Sequence, residues 1–105
     1  MIIENKRAAQ DCADMDEIRT EIDLLDENII TLIAQRFAYV RAAAKFKTSP
    51  DAVRAKARFE TMLLQRRAWA EEQGLSPEVI EKMYRDLVNY FISEEMKHWS
   101  KTQSE

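Results

Sequence analysis

The sequence predicts an all-α protein with three helices per chain, a long first helix and an intertwined homodimer. The chain has 105 residues with one glycine and two prolines, so few positions interrupt a helix. Between Asp14 and Thr48, apolar residues recur at alternating spacings of three and four, which is the heptad pattern of helices that pack together. The members of this heptad seam are Met15, Ile18, Ile22, Leu25, Ile29, Leu32, Arg36, Tyr39, Ala43 and Phe46.

The length of the first helix predicts the homodimer. A helix of about 35 residues extends about 50 Å. A compact chain of this size has a radius of gyration of about 13 Å, so its remaining helices cannot cover such a rod. We therefore expect a second copy of the chain to share the first helix.

The first helix is expected to begin at Asp14 and to end near Lys47. Residues 1–13 are polar, lack periodicity and are interpreted as a flexible tail. Asp14 is a suitable N-cap, with Glu17 at the third position of a capping box. The helix ends because Pro50 disfavours helical backbone at the residue before it. We interpret residues 48–51 as a break that can act as a lid.

Two further helices complete the predicted domain, which spans residues 14–100 and is followed by a tail at 101–105. The second helix is expected from Val53 to Gln73, where Gly74 supplies a left-handed cap. The third helix starts at Ser76-Pro77-Glu78, because serine caps a helix and proline suits its first turn. The predicted apolar stripe of the second helix is Phe59, Met62, Leu63, Arg66, Trp69 and Ala70, and that of the third is Ile80, Tyr84, Leu87, Val88, Phe91, Glu95 and Trp99.

Composition argues against several classes of function. Cys12 is the only cysteine, so no disulfide forms within the chain and a cytoplasmic location is expected. No metal is expected, because the single Glu-x-x-His pair, Glu95 and His98, lacks the further ligands of a carboxylate-bridged site. Apolar runs are too short to span a membrane. The net charge of -3 argues against nucleic acid as a partner.

Positive charge is concentrated between residues 36 and 67. This segment holds nine lysines and arginines and two acids, so its net charge is +7 in a chain whose overall charge is -3. A solvated basic face is one interpretation. A pocket for a small anion is the other.

Charged residues in apolar rows favour the pocket. Arg36 interrupts the heptad seam and Glu95 interrupts the stripe of the third helix. Lys47 lies eleven residues after Arg36 and shares its face if the helix is continuous, and Arg58 can close over the same place. Arg19 lies about 25 Å from Arg36 along the helix, so we expect it to serve the partner's site. The alternative is a buried ion pair of Arg36 with Glu95 that binds nothing.

The order of these residues resembles the all-helical, type II chorismate mutase family. The residues that carry the resemblance are Arg19, Asp23, Asp26, Arg36, Lys47, Arg58 and Glu95. Within the family, the similarity is greatest to the isochorismate pyruvate lyases of salicylate and siderophore biosynthesis. The local runs that carry this similarity include Asp11-Cys12, Ile18-Arg19, Tyr39-Val40, Phe46-Lys47 and Trp69-Ala70-Glu71-Glu72.

The resemblance implies a homodimeric enzyme with two equivalent sites. Its substrate would be the dianion isochorismate, split into salicylate and pyruvate, with weaker chorismate mutase activity that yields prephenate. Both reactions would be pericyclic and free of cofactors. Arg36 and the partner's Arg19 would bind carboxylates, Lys47 a carboxylate and the ether oxygen, and Arg58 would assist. The implied apolar wall consists of Val40, Ala43, Met62, Val88 and Ile92.

Two departures from the family pattern bear on the reaction. Bacterial members usually carry glutamine where this chain has Glu95. A carboxyl group donates a hydrogen bond to the ether oxygen only when it is protonated, so we expect a rate that falls as pH rises and a flat profile in Glu95→Gln. Dedicated mutases tend to place a glutamate at Phe59, so its absence favours the lyase. A dedicated chorismate mutase is the enzymatic alternative, and a non-catalytic helical dimerisation module is the alternative from another class.

Overall fold

Helices make up most of the chain in a computed structural model of the protein. The structure describes residues 2–104, and the side chains of all of these except 53, 54 and 98–104. Its elements in order are a 3-10 turn at Ala9–Asp11, α1 at Met15–Ala43, a second 3-10 turn at Ala44–Phe46, α2 at Pro50–Arg54, α3 at Lys56–Glu72 and α4 at Pro77–Ser104. No strand occurs within residues 2–104, and the predicted all-α class is confirmed.

The chain divides into two compact units, Met1–Tyr39 and Val40–Glu105. In the first unit, α1 begins at the predicted cap. The Asp14 side chain accepts a hydrogen bond from the Glu17 amide at 2.9 Å, and the Glu17 carboxylate accepts one from the Ala13 amide at 2.8 Å. Two backbone donors that lack helical partners are thereby satisfied. The N-cap assigned to Asp14 is therefore confirmed.

An extended N-terminal strap, residues 2–8, lies along α1. Asn28 exchanges two hydrogen bonds with the backbone of Ile3, at 2.8 and 2.6 Å. One heptad earlier, Glu21 Oε1 accepts hydrogen bonds from the Asn5 side chain at 2.9 Å and from the Lys6 amide at 2.8 Å. The sequence interpretation of residues 1–13 as a tail did not anticipate these anchors.

The heptad seam of α1 is largely uncovered within the chain. Ile22, Leu25, Ile29 and Leu32 are each about half exposed, at 48%, 47%, 51% and 49%. The buried residues of α1 are instead polar, namely Glu21 and Asn28. An amphipathic helix of a globular protein usually buries its apolar face, whereas α1 buries polar residues and leaves its apolar seam about half exposed.

In the second unit, the α1–α3 connection differs from the prediction. Helical backbone continues through the 3-10 turn to Phe46, one residue short of the predicted end, and Lys47 is extended at φ -100° and ψ 131°. The predicted break at 48–51 is partly helical, because Ser49 caps α2 by accepting a hydrogen bond from the Ala52 amide at 3.1 Å. Ala55, at φ 42°, then separates α2 from α3. The predicted start of the second helix at Val53 is therefore wrong.

The end of α3 follows the prediction. Gly74 adopts φ 74° and donates to the Glu71 carbonyl at 3.1 Å, while Leu75 donates to the Ala70 carbonyl at 2.8 Å. These two bonds form a Schellman motif, in which glycine fits the left-handed position without a Cβ clash. The predicted cap at Gly74 is confirmed.

Helices α3 and α4 pack together around a small core. Its buried side chains are Met62, Leu63, Ala70, Phe91 and Glu95, all from the predicted stripes. Trp69 is a correction, because it is 48% exposed and stacks against Arg66, whose guanidinium lies 4.7 Å from the ring centre. The side chains of Trp99 and His98 lie outside the described residues.

Ion pairs join the outer faces of α3 and α4. Arg67 contacts Glu78 and Glu81, each at 3.2 Å, and Arg85 contacts Glu60 at 3.6 Å. Exposed pairs of this kind contribute about 0–1 kcal/mol each, so the buried stripes carry most of the packing energy.

α4 extends to Ser104, through most of the segment predicted as a C-terminal tail. None of the helices in the described part of the chain combines the length and apolar character needed to cross a membrane.

Candidate active site

A buried ion pair joins the α1–α2 connection to α4. Lys47 Nζ lies 3.0 Å from Glu95 Oε2 and 3.3 Å from Oε1. The Glu95 side chain is 2% exposed and that of Lys47 is 23% exposed. Both residues were predicted for the site, and both belong to the second unit. The structure therefore brings together the cation and the acid on which the sequence prediction depends.

The two oxygens of Glu95 differ in their surroundings. Lys47 donates its hydrogen bond to Oε1. Oε2 lies closer to the ammonium, at 3.0 Å, and pairs with it electrostatically. A buried carboxylate is costly to leave unpaired, by about 3–5 kcal/mol when its partner is removed.

Local structure explains how Lys47 reaches the core. The 3-10 turn tightens the end of α1 and the Lys47 amide donates to the Ala44 carbonyl at 3.1 Å. Two residues later, the Ser49 cap starts α2. Lys47 thus lies between the 3-10 turn and α2. The expectation that Lys47 shares a face of one continuous helix with Arg36 is wrong, because α1 ends at Ala43.

Of the other predicted cations, two are exposed and one is half-buried. Arg58 is exposed in the first turn of α3, and Arg36 is half-buried on α1. Arg19 is 68% exposed on α1, where its nearest ion-pair partner, Asp16, is 3.9 Å away. Arg19 therefore projects into solvent from its own chain.

All five residues of the predicted apolar wall belong to the second unit. Met62 is buried at 5% exposure. The remaining four members are half-buried: Val40, Ala43, Val88 and Ile92. Intermediate burial leaves part of each side chain accessible, which a substrate-lining residue requires.

Sequence reasoning missed the capping role of Ser49. Its hydroxyl fixes the start of α2 two residues after Lys47. The signal was present, since Ser49-Pro50-Asp51 has the same chemistry as Ser76-Pro77-Glu78. The second motif also caps a helix, through a hydrogen bond from the Val79 amide to Ser76 at 3.3 Å.

Comparison with known proteins places this chain in a family. The family model described as chorismate mutase type II matches residues 18–96. The chain belongs to the type II chorismate mutase family. Isochorismate pyruvate lyase of Pseudomonas aeruginosa is 35% identical to it over 97 residues, which cover 92% of this chain and 96% of the relative.

The segment that matches the type II chorismate mutases contains all the predicted site residues. It runs from Ile18 to Met96, and so includes Arg19 near its start and Glu95 near its end. The strap at residues 2–8 lies outside it. The family match thus covers the helices that carry the candidate site. It does not cover the strap, whose position is described by its hydrogen bonds to α1 in this chain.

Proposed function

We propose that this protein is an isochorismate pyruvate lyase that converts isochorismate into salicylate and pyruvate and has secondary chorismate mutase activity. The observation that carries the proposal is the 35% identity to an isochorismate pyruvate lyase over almost the whole of both chains. The buried Lys47–Glu95 pair supports it, since a positioned cation and acid are the groups this reaction requires. The catalytic domain comprises residues 14–100, and its location is cytoplasmic.

The chemistry relies on positioned charge. In a cofactor-free elimination, the ether bond of the enolpyruvyl group breaks and negative charge develops on its oxygen. An ammonium held in a low-dielectric core stabilises such charge more strongly than it would in water. Lys47 is the cation in this position, and Glu95 supplies a hydrogen-bond donor when it is protonated.

Two carboxylates of the substrate require further cations. Arg36 binds one carboxylate and the partner's Arg19 contributes to the other, while Arg58 assists from α3. Guanidinium groups suit this role because they bind carboxylates with two parallel hydrogen bonds. The apolar wall of Val40, Ala43, Met62, Val88 and Ile92 holds the ring in a reactive conformer, which lowers the entropic part of the barrier.

The active form is a homodimer. What supports this is the uncovered heptad seam of α1, where Ile22, Leu25 and Ile29 are each about half exposed. Full burial of such side chains contributes about 1.5–3 kcal/mol each. Arg19 supports it as well, because it is exposed within its own chain.

A dedicated chorismate mutase is the second candidate, favoured by the family match over residues 18–96. Two assays on the purified protein distinguish the candidates. Conversion of isochorismate is measured by the fluorescence of the salicylate formed. Conversion of chorismate is measured by its loss of absorbance and by the appearance of prephenate. Fast salicylate release with slower prephenate formation is the expected result. Prephenate formation alone would transfer the assignment to the mutase.

A variant of Arg36 separates an enzyme from a dimerisation module. Arg36→Leu should abolish turnover, because a substrate carboxylate loses its cation. In a module that only dimerises, leucine in the heptad seam should stabilise the dimer without further effect. Full activity in Arg36→Leu would show that Arg36 has no role in the site. Absence of activity of the wild-type protein in both assays would refute the enzymatic proposal.

A further inference from the structure

The N-terminal strap is attached to the first two turns of α1 by side-chain contacts. Glu17 Oε1 lies 3.5 Å from Arg7 Nε of the strap. One turn later, Asn5 Nδ2 donates to the Glu21 carboxylate at 2.9 Å and to the Glu21 backbone carbonyl at 3.1 Å. These two attachment points on α1 lie two residues before and two residues after Arg19.

Within the chain, the first turns of α1 have little apolar packing of their own. Met15, Asp16 and Ile22 are exposed, whereas Glu21, which contacts the strap, is buried. Helix ends fray, and segments with few buried apolar contacts open at a low cost in free energy. The strap contacts therefore add to the capping box at Asp14 in keeping these turns helical.

The location of the Arg19 guanidinium depends on these turns. Its side chain is exposed, and Asp16, its ion-pair partner on α1, is 3.9 Å away. Exposed ion pairs at such distances constrain a side chain weakly. The backbone of α1 therefore determines the region that the guanidinium can reach, and the strap fixes this backbone on either side of it.

We propose that the N-terminal strap is a positioning element for the active site of a second copy of the chain. This role rests on the proposed function, in which Arg19 binds a substrate carboxylate in the partner's site. Asn5 and Arg7 of the strap are the positioning residues, because they hold the helical turns that present Arg19. The strap precedes the segment that matches the family model, residues 18–96.

Pre-organisation of this kind determines which kinetic constant changes. When the strap detaches, a larger fraction of chains has frayed first turns, and these turns have to become helical again when substrate binds. The apparent dissociation constant rises as the competent fraction falls. In the complex, Arg19 is back in place, so kcat changes little. Loss of the strap contacts should therefore raise KM.

Steady-state kinetics with isochorismate test this expectation. In Asn5→Ala/Arg7→Ala, a hydrogen bond to a carboxylate and an ion pair are lost. KM should rise about three- to tenfold, and kcat should stay within about twofold of wild type. An unchanged KM, or a loss confined to kcat, would overturn the proposal.

Lys6→Ala is the matched control. It removes the same positive charge from the strap as Arg7→Ala does, but Lys6 contacts Glu21 through its backbone amide at 2.8 Å, which alanine retains. Its KM should therefore equal that of wild type. An equal rise of KM in Lys6→Ala would show an effect of charge on the dianionic substrate, and would overturn the proposal as well.

Hybrid dimers show on which chain the strap acts. One chain carries Arg19→Ala and the other Lys47→Ala, and the two are co-expressed with different affinity tags and purified through both. One site of the hybrid then combines Lys47 of the first chain with Arg19 of the second, so activity should be restored. The strap variant Asn5→Ala/Arg7→Ala should raise KM when the chain that supplies Arg19 carries it. On the chain that supplies Lys47, it should leave KM unchanged.

The two placements separate positioning from general stability. Equal effects from both would overturn the proposal, because partial unfolding or dissociation does not depend on which chain carries the variant. An inactive hybrid together with an active wild type would show that Arg19 does not serve the partner's site. That result overturns the positioning role and leaves the lyase assignment intact. Absence of turnover by wild type would overturn the proposed function and the positioning role with it.

Discussion

Removing one anchor of the N-terminal strap should release the other. The strap is held at Asn28 and at Glu21, seven residues apart on α1, by contacts with Ile3 and Lys6. If the strap docks as a single cooperative segment, the loss of the Asn28 contacts lowers the stability of the Lys6 contact, which the substitution does not touch. We therefore expect Asn28→Ala to expose the Lys6 amide.

The magnitude follows from the two hydrogen bonds that Asn28 forms with the Ile3 backbone at 2.8 and 2.6 Å. A neutral hydrogen bond contributes about 1 kcal/mol net, so their loss destabilises the docked strap by about 2 kcal/mol. When the strap detaches, the N–H and C=O groups of Ile3 form hydrogen bonds with water. The estimate of about 2 kcal/mol therefore includes no penalty for an unsatisfied buried group. A change of this size corresponds to about a 30-fold larger fraction of open strap.

Amide hydrogen exchange measures this fraction. The Lys6 amide, which donates to Glu21 Oε1 at 2.8 Å, should exchange about 30-fold faster in Asn28→Ala than in wild type. Gln35→Ala is the control, because Gln35 is an exposed amide at the same heptad position of α1, one heptad after Asn28. A change of less than about threefold at Lys6 would refute cooperative docking and show two independent anchors.

Three further predictions concern single positions. Gly74→Ala should lower the free energy of unfolding by about 1 kcal/mol, measured by thermal melting, because a Cβ there meets no atom within 4 Å and the cost is that of the left-handed backbone alone. Ser49→Ala should cost about 1 kcal/mol of local stability, seen as faster exchange of the Ala52 amide, whereas Ser49→Asp should retain the cap. The hydrogen bond from the Asn5 side chain, followed by those from the backbone of Lys6 and Arg7, lowers the pKa of Glu21 below 4.5. Its stabilisation of the strap is therefore present above pH 4.5 and lost as pH falls below it, and Glu21→Gln should remove this pH dependence of exchange.

Local sequence signals predicted most helix boundaries, and the main exception is the segment between α1 and α3. Gly74 and Asp14 act through contacts within five residues, which a sequence pattern can specify. Ser49-Pro50 was interpreted as a break and Ser76-Pro77 as a start, although both cap a helix. The difference is Ala55, whose left-handed backbone at φ 42° ends α2 after five residues. Alanine gives no sequence signal for this conformation, which L-residues with a Cβ rarely adopt.

The candidate site was predictable in composition and less so in geometry. A charged residue in an apolar stripe is a strong signal, and Glu95 is buried as its position in the stripe indicates. Its partner could not be derived from helical spacing, because Lys47 lies beyond the end of α1 in extended backbone. The strap anchors were not predictable either, since each pairs residues 14 to 25 positions apart and a polar residue on a helix normally faces water.

The register of α1 separates the strap anchors, the heptad seam and Arg19 around the helix. Glu21 and Asn28 each precede a seam residue, Ile22 or Ile29, so the strap lies on one flank of the heptad seam. Arg19 follows the seam residue Ile18 and therefore lies on the opposite flank, 100° further round the helix. The strap covers neither the seam nor Arg19, and both are exposed in the chain. This arrangement accounts for an α1 whose buried residues are polar while its apolar seam remains exposed.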